Sequence, residues 1–161
     1  MSNYLKPILY FIPLLLIQLV VVPLISVFGV VPNVIVILVV YYLLLGGQIY
    51  GMILGFVFGF FFDLFSGGVL GASMLSMTIS TFIIGYFYNE NRVDTNTASY
   101  FFLIILFIAA FINSLIYSFA GNFNPEVRFT ALLLEGALLP AIYTTIFGLG
   151  IVAINMRKVR I

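Results

Sequence analysis

Three polar side chains able to do chemistry stand inside long apolar runs of this sequence: Asp63, Asn113 and Glu135. A carboxyl group in such surroundings can handle a proton, pair with a cation, hold a ligand or accept hydrogen bonds from a neighbouring helix. Asp63 also closes a row of glycines at a spacing of four, Gly51, Gly55 and Gly59, in the segment GMILGFVFGFFFD. The residue types that are absent narrow the choice. There is no Cys and no His, which excludes disulfides, thiol nucleophiles, Cys/His metal sites and histidine bases. No oxyanion donor or substrate pocket is marked beside Asp63 or Glu135, so the pattern points away from an enzyme, and no cofactor is expected. The net charge of +1 supplies no basic face for nucleic acid.

The elements that must position these groups are set by lipid. Of the 161 residues, 64% are hydrophobic and 7% charged, against roughly 25% charged in a soluble domain. Breaks in the apolar runs leave six segments, at about 7–28, 32–45, 47–65, 69–88, 99–120 and 130–154, each near the about 20 residues of a crossing helix except the short second. The expectation is an all-α integral membrane protein, a six-transmembrane-helix bundle forming a single transmembrane domain over 1–161. The first run, Ile8 to Phe28, is about 21 residues long and exceeds the roughly 7–15 of a signal h-region, so it reads as a retained first span. The second and third segments are separated by Gly46-Gly47-Gln48. A tight turn and a re-entrant pair both fit that break, and the helix-start signal Pro32-Asn33 favours the turn.

Six spans put both termini on one side. Lys6, Arg92, Arg157, Lys158 and Arg160 then share that side and Arg128 lies opposite, which makes the termini cytoplasmic by the bias of basic residues. The C-terminal basic cluster would sit among anionic headgroups. In this topology Asp63 lies near the outer end of the third span, Asn113 short of the outer end of the fifth, and Glu135 within the first turns of the sixth. All three fall in the outer third of the bilayer. For Asp63 an interfacial carboxylate, a contact with another helix, and ligand or proton handling are all open. Glu135 is expected to be uncharged or paired with Arg128 or Asn113.

Glycines four apart turn about 40° per step, so Gly51, Gly55 and Gly59 form one groove with Asp63 at its trailing edge. Such grooves let two helix backbones approach closely. Gly67 and Gly71 continue the spacing but fall in the following turn and the next span.

Pro32-Asn33, Tyr41-Tyr42-Leu43, Gly46-Gly47, then Gly51-x3-Gly55-Phe56-x2-Gly59-x3-Asp63 and Gly68-x2-Gly71 together resemble the bacterial rod shape-determining protein MreD family. The match covers about residues 32–75, and Asn33 stands where that pattern has an acid. The resemblance implies a non-enzymatic scaffold in the bacterial cytoplasmic (inner) membrane that binds a bitopic MreC-type protein and helps to organise peptidoglycan synthesis. The assembly it implies includes an MreB-type actin homologue, a SEDS-type glycosyltransferase and a class B transpeptidase. In fold the family resembles the substrate-capture subunits of energy-coupling-factor transporters. That likeness raises the alternative of a small-molecule (vitamin) capture subunit, for which Asp63, Asn113 and Glu135 lie at a suitable depth.

Overall fold

A computed structural model describes residues 2–27, 29–89, 93, 97, 99–121 and 129–159. Arg92, Arg128 and Arg160, three of the six basic residues used to orient the chain, lie outside the described residues, as do the 94–96 and 122–128 stretches of its loops.

Among the described residues the chain forms six helical rods. Helix α1 (Ser2–Leu16) runs on through a π turn (Ile17–Val21) and a 3-10 turn (Val22–Ile25). Helices α2 (Val34–Gly46), α3 (Gln48–Ser66), α4 (Ala72–Ile84) and α5 (Tyr100–Gly121) follow. Helix α6 starts as Phe129–Leu133, passes through a second π turn (Leu134–Leu138) and continues as Leu139–Val159. Three stretches, Lys6–Ile25, Gln48–Ser66 and Tyr100–Gly121, are long and apolar enough to cross a membrane, while Val34–Gly46, Ala72–Phe87 and Leu134–Gly150 are shorter apolar helices. Six crossing segments were expected; among the described residues three stretches meet that measure of length and apolarity.

Helix α2 is one that falls short. Thirteen residues at 1.5 Å each give about 20 Å, well short of a hydrocarbon core of about 30 Å. Its sequence VIVILVVYYLLL has no polar face, and a helix apolar all round belongs inside a bundle. Accordingly ten of its residues, from Val34 to Leu44, are buried. Gly47 alone separates α2 from α3; at φ +92° it takes a backbone conformation that a side chain would strain. A Cβ on Gly51 would meet the Leu43 side chain at about 2.6 Å, so the first glycine of the row seats the end of α2.

The other two glycines seat α4. A Cβ on Gly55 would fall 3.1 Å from the carbonyl oxygen of Met77, and one on Gly59 would fall 2.7 Å from the backbone nitrogen of Met74 and 2.7 Å from the Ser73 oxygen. At the far end Gln48 packs on Gly85 and its Nε2 donates to the Phe82 oxygen at 2.8 Å. Partners thus run in opposite directions, and α3 and α4 are an antiparallel hairpin. The glycine groove is filled from within the chain. On another side of α3, Phe58 stacks on Phe11 of α1 with ring centroids 4.0 Å apart and planes 6° from parallel. Helices α5 and α6 make a second antiparallel pair, with Ser118 against Gly136 and Leu106 against Gly148, and α5 packs on α4.

Both π turns precede a proline, Pro23 and Pro140. Proline lacks an N–H and its ring crowds the carbonyl four residues back; a locally widened turn is one way to accommodate it. For Pro140 the stranded carbonyl is that of Gly136, and the Ser118 hydroxyl donates to it at 2.9 Å.

Because backbone rather than a movable side chain opposes Gly59, Gly59→Ala is expected to lower stability by about 1–3 kcal/mol. Gly150, with open space where its Cβ would be, is the control: Gly150→Ala should leave the thermal midpoint of the detergent-solubilised protein unchanged. Equal midpoints for the two variants would refute the tight α3–α4 crossing.

Candidate functional site

The polar residues gather at the end of the bundle where α2 and α4 begin. A helix start exposes four N–H groups without partners inside the helix, and away from water each must be satisfied by the protein. Asp63 does this for α4. Its carboxylate is 2% exposed and accepts from the Gly71 nitrogen at 2.9 Å, the Ser73 nitrogen at 3.0 Å and the Met74 nitrogen at 3.2 Å. The Ala72 nitrogen donates to the Val69 oxygen and the Leu75 nitrogen to the Gly71 oxygen, so the first turn of α4 is fully paired. Gly71 itself, at φ +94°, swings its N–H toward the carboxylate. A negative group at a helix N-terminus also meets the positive end of the helix dipole. Three roles were open for Asp63, and the geometry is that of a contact with a neighbouring helix. The spacing that joins Asp63 to Gly71 is therefore real chemistry, made through a turn rather than along one helix face.

Gln18 does the same for α2. It sits in the π turn of α1, buried, with its Oε1 accepting from the Val34 nitrogen at 2.8 Å and its Nε2 donating to the Pro32 oxygen at 3.0 Å. Asn33 is the N-cap proper: its Oδ1 accepts from the Val36 nitrogen at 3.2 Å. The Asn33 nitrogen donates to Thr144 Oγ1 of α6 at 2.9 Å. The Tyr143 hydroxyl donates to the Ile25 oxygen at 2.7 Å, so α6 ties down both ends of the segment joining α1 to α2. Pro32-Asn33, singled out as a helix start, is thus where three helices meet.

Between the two capped ends lies a cavity of about 260 Å³. Its walls include Gln18 and Asn33 from the α2 cap, Ser73 from the α4 cap, Asn113 and Tyr117 from α5, and Glu135 from the π turn of α6. Asn113 and Glu135, placed at one depth by the sequence, share this cavity; Asp63 is turned away from it toward α4. Of the two partners expected for Glu135, only Asn113 is among the described residues. No hydrogen bond joins it to Asn113, whose buried Oδ1 has no partner, Glu135 is exposed toward the cavity, and Arg128 is outside the described residues. Gln18, Ser73, Tyr117 and Thr144 were not singled out beforehand. For Gln18 the signal was available, as the one amide in the first apolar run. Among the described residues no three His, Cys, Asp or Glu side chains gather as a group that could hold a metal ion.

These features define a class: a small polytopic helical membrane protein whose polar side chains serve mainly to close helix ends around a modest cavity. The family model of the rod shape-determining protein MreD matches residues 2–151, nearly the whole length, and the chain belongs to that family. No curated protein and no solved structure matches it, and no comparison supports the expected likeness to energy-coupling-factor subunits.

Replacing Asp63 by Leu should cost about 1–3 kcal/mol for each N–H left without a partner, lowering the melting temperature well beyond the effect of Asp63→Asn, which keeps one acceptor oxygen. Hydrogen exchange at the Ser73 and Met74 amides should accelerate in the same order. Gln18→Leu should act likewise on the Val34 amide and leave those of Ser73 and Met74 protected.

Proposed function

We propose that this protein is a non-enzymatic scaffold of the bacterial cell-elongation machinery, held in the cytoplasmic (inner) membrane with both termini in the cytoplasm. The observation that carries this reading is the family match over residues 2–151; a rod-shape determinant acts where the wall is extended along the cell. The orientation is supported by the basic residues, five of six of which fall on one side in a six-span topology. The partner in this reading is a bitopic MreC-type protein, joined through the assembly to an MreB-type actin homologue, a SEDS-type glycosyltransferase and a class B transpeptidase. The role in organising peptidoglycan synthesis is that of holding these proteins together in the plane of the bilayer.

The geometry favours holding over chemistry. The Asp63 carboxylate is engaged by three backbone N–H groups, the geometry of a helix cap. The glycine groove is filled by α4 and the end of α2, so a partner helix has to meet the outer faces. Those are strongly apolar: Leu9, Leu16 and Leu24 on the first rod, and Ile49 and Ile53 on α3, are all more than a third exposed. Because the fold is tied together at its caps, a variant that loosens them should lose function without touching the partner surface.

Deleting the gene in its rod-shaped host is expected to give rounded cells, and supplying the intact protein should restore the rod. The tagged protein should also retain a single-span partner through purification in mild detergent. Cells that stay rod-shaped after deletion would overturn the reading. Asp63→Leu should fail to restore shape, in proportion to the folded protein lost from the membrane, whereas Gly150→Ala should restore it.

A further inference from the structure

The cavity between the two caps lies at the start of α2, in the space which that short helix leaves. Its thirteen residues span about 20 Å of a hydrocarbon core of about 30 Å, and Pro32 and Asn33 form part of the cavity wall. Polar groups of both kinds line this space. Asn113 is 3% exposed, and its Oδ1 is a buried acceptor with no partner; the Glu135 carboxyl group is a second acceptor. Ser73, Ser114 and Tyr117 bring hydroxyls that can donate, and Asn33 and Asn113 bring amide N–H groups. Such a mixture asks for an occupant that both donates and accepts. A lipid acyl chain does neither and would strand Asn113 in an apolar contact. Water does both, and it fills a cavity that is polar and offers each molecule two to four partners. At about 30 Å³ per molecule, a volume of about 260 Å³ takes several.

We propose that this cavity is a water-filled vestibule, in which a connected cluster of water molecules enters the bundle where α2 and α4 begin and donates to Asn113 Oδ1. Val31 and Glu135, exposed residues of its wall, open it to the surroundings at that end. Asn113 stands eight residues before Gly121, the last residue of α5, which places it about 12 Å below that helix end. Water at this depth leaves little more than the length of α2, about 20 Å, as the dry barrier in the middle of the bundle. An innermost helix too short to cross a bilayer is then long enough. The vestibule is separate from the proposed role in cell shape and stands or falls without it.

The test uses the unaltered full chain, isotope-labelled in lipid bilayers, and solid-state NMR in which magnetisation starts either on water or on the lipid acyl chains. Transfer from water should reach the Asn113 side chain faster than that of Phe60, which is exposed on α3 six residues before Ser66 ends that helix. Transfer from the acyl chains should show the reverse order. A second measurement uses the lack of cysteine in the chain. The thiolate is the form that reacts, and its charge needs water. Ser114→Cys, a one-atom change in the cavity wall, should therefore react with methyl methanethiosulfonate about tenfold or more faster than Phe60→Cys. Four results would each overturn the proposal: water transfer to Asn113 no faster than to Phe60, acyl-chain transfer that favours Asn113, equal thiol rates, or a non-lipid organic molecule retained stoichiometrically in native mass spectrometry.

Discussion

A helix that ends inside a bundle, away from water, leaves backbone N–H groups that nothing but the protein can satisfy. Most of the arrangement seen here follows from that single constraint. Helix α2 is too short to reach across a bilayer, so its start is buried, and beside its own cap residue Asn33 it draws Gln18 from the first rod and Thr144 from α6. Helix α4 starts below a turn and draws Asp63 from α3. Polar residues that look costly in an apolar sequence are spent on backbone, and the energy they recover is that of donors which would otherwise be stranded. The close α3–α4 crossing serves the same end. Without glycine at 59 the two backbones could not approach closely enough for a side chain as short as aspartate to reach over.

Glycine, proline and π turns act together in this frame. Each π turn lies just before a proline and carries one of the cavity's polar residues, Gln18 in the first rod and Glu135 in the last. A widened turn rotates the residues beyond it relative to a regular helix, which changes the face on which they emerge. Two interruptions that look like flaws in apolar helices therefore line the same space. The mutual support of the caps makes this end of the bundle a connected unit in which loss of one member strands the bonds of another.

Much of this was legible in the sequence, and the limits have physical causes. The glycine row with Asp63 at its end fixed a close helix contact because spacing of four is a property of the helix itself. Asn113 and Glu135 could be placed at one depth because depth depends only on counting residues from a span's end. Pro32-Asn33 marked a helix start through the local chemistry of capping. The shortness of α2 was visible, while its place at the centre of the bundle came only from its packing. Gln18 stood out as an amide in an apolar run, but its role stayed hidden because its partner is a backbone nitrogen sixteen residues away, and a backbone amide has no sequence signature. The link from Asn33 to Thr144, separated by 111 positions, is set by how six rods pack and by nothing local. The π turns escaped for a similar reason: proline permits several ways out of its clash, and the surrounding helices select one.

The reach of the two caps along the chain has a consequence for biosynthesis. Asp63 and the start of α4 are separated by about ten positions, so that hairpin can close its own polar groups soon after it enters the membrane. The start of α2 is different. Its Asn33 amide waits for Thr144, and the Ile25 carbonyl waits for Tyr143, 111 and 118 positions further along the chain. Until α6 arrives the innermost helix carries an unfinished end, and α6 acts as the clasp that closes it.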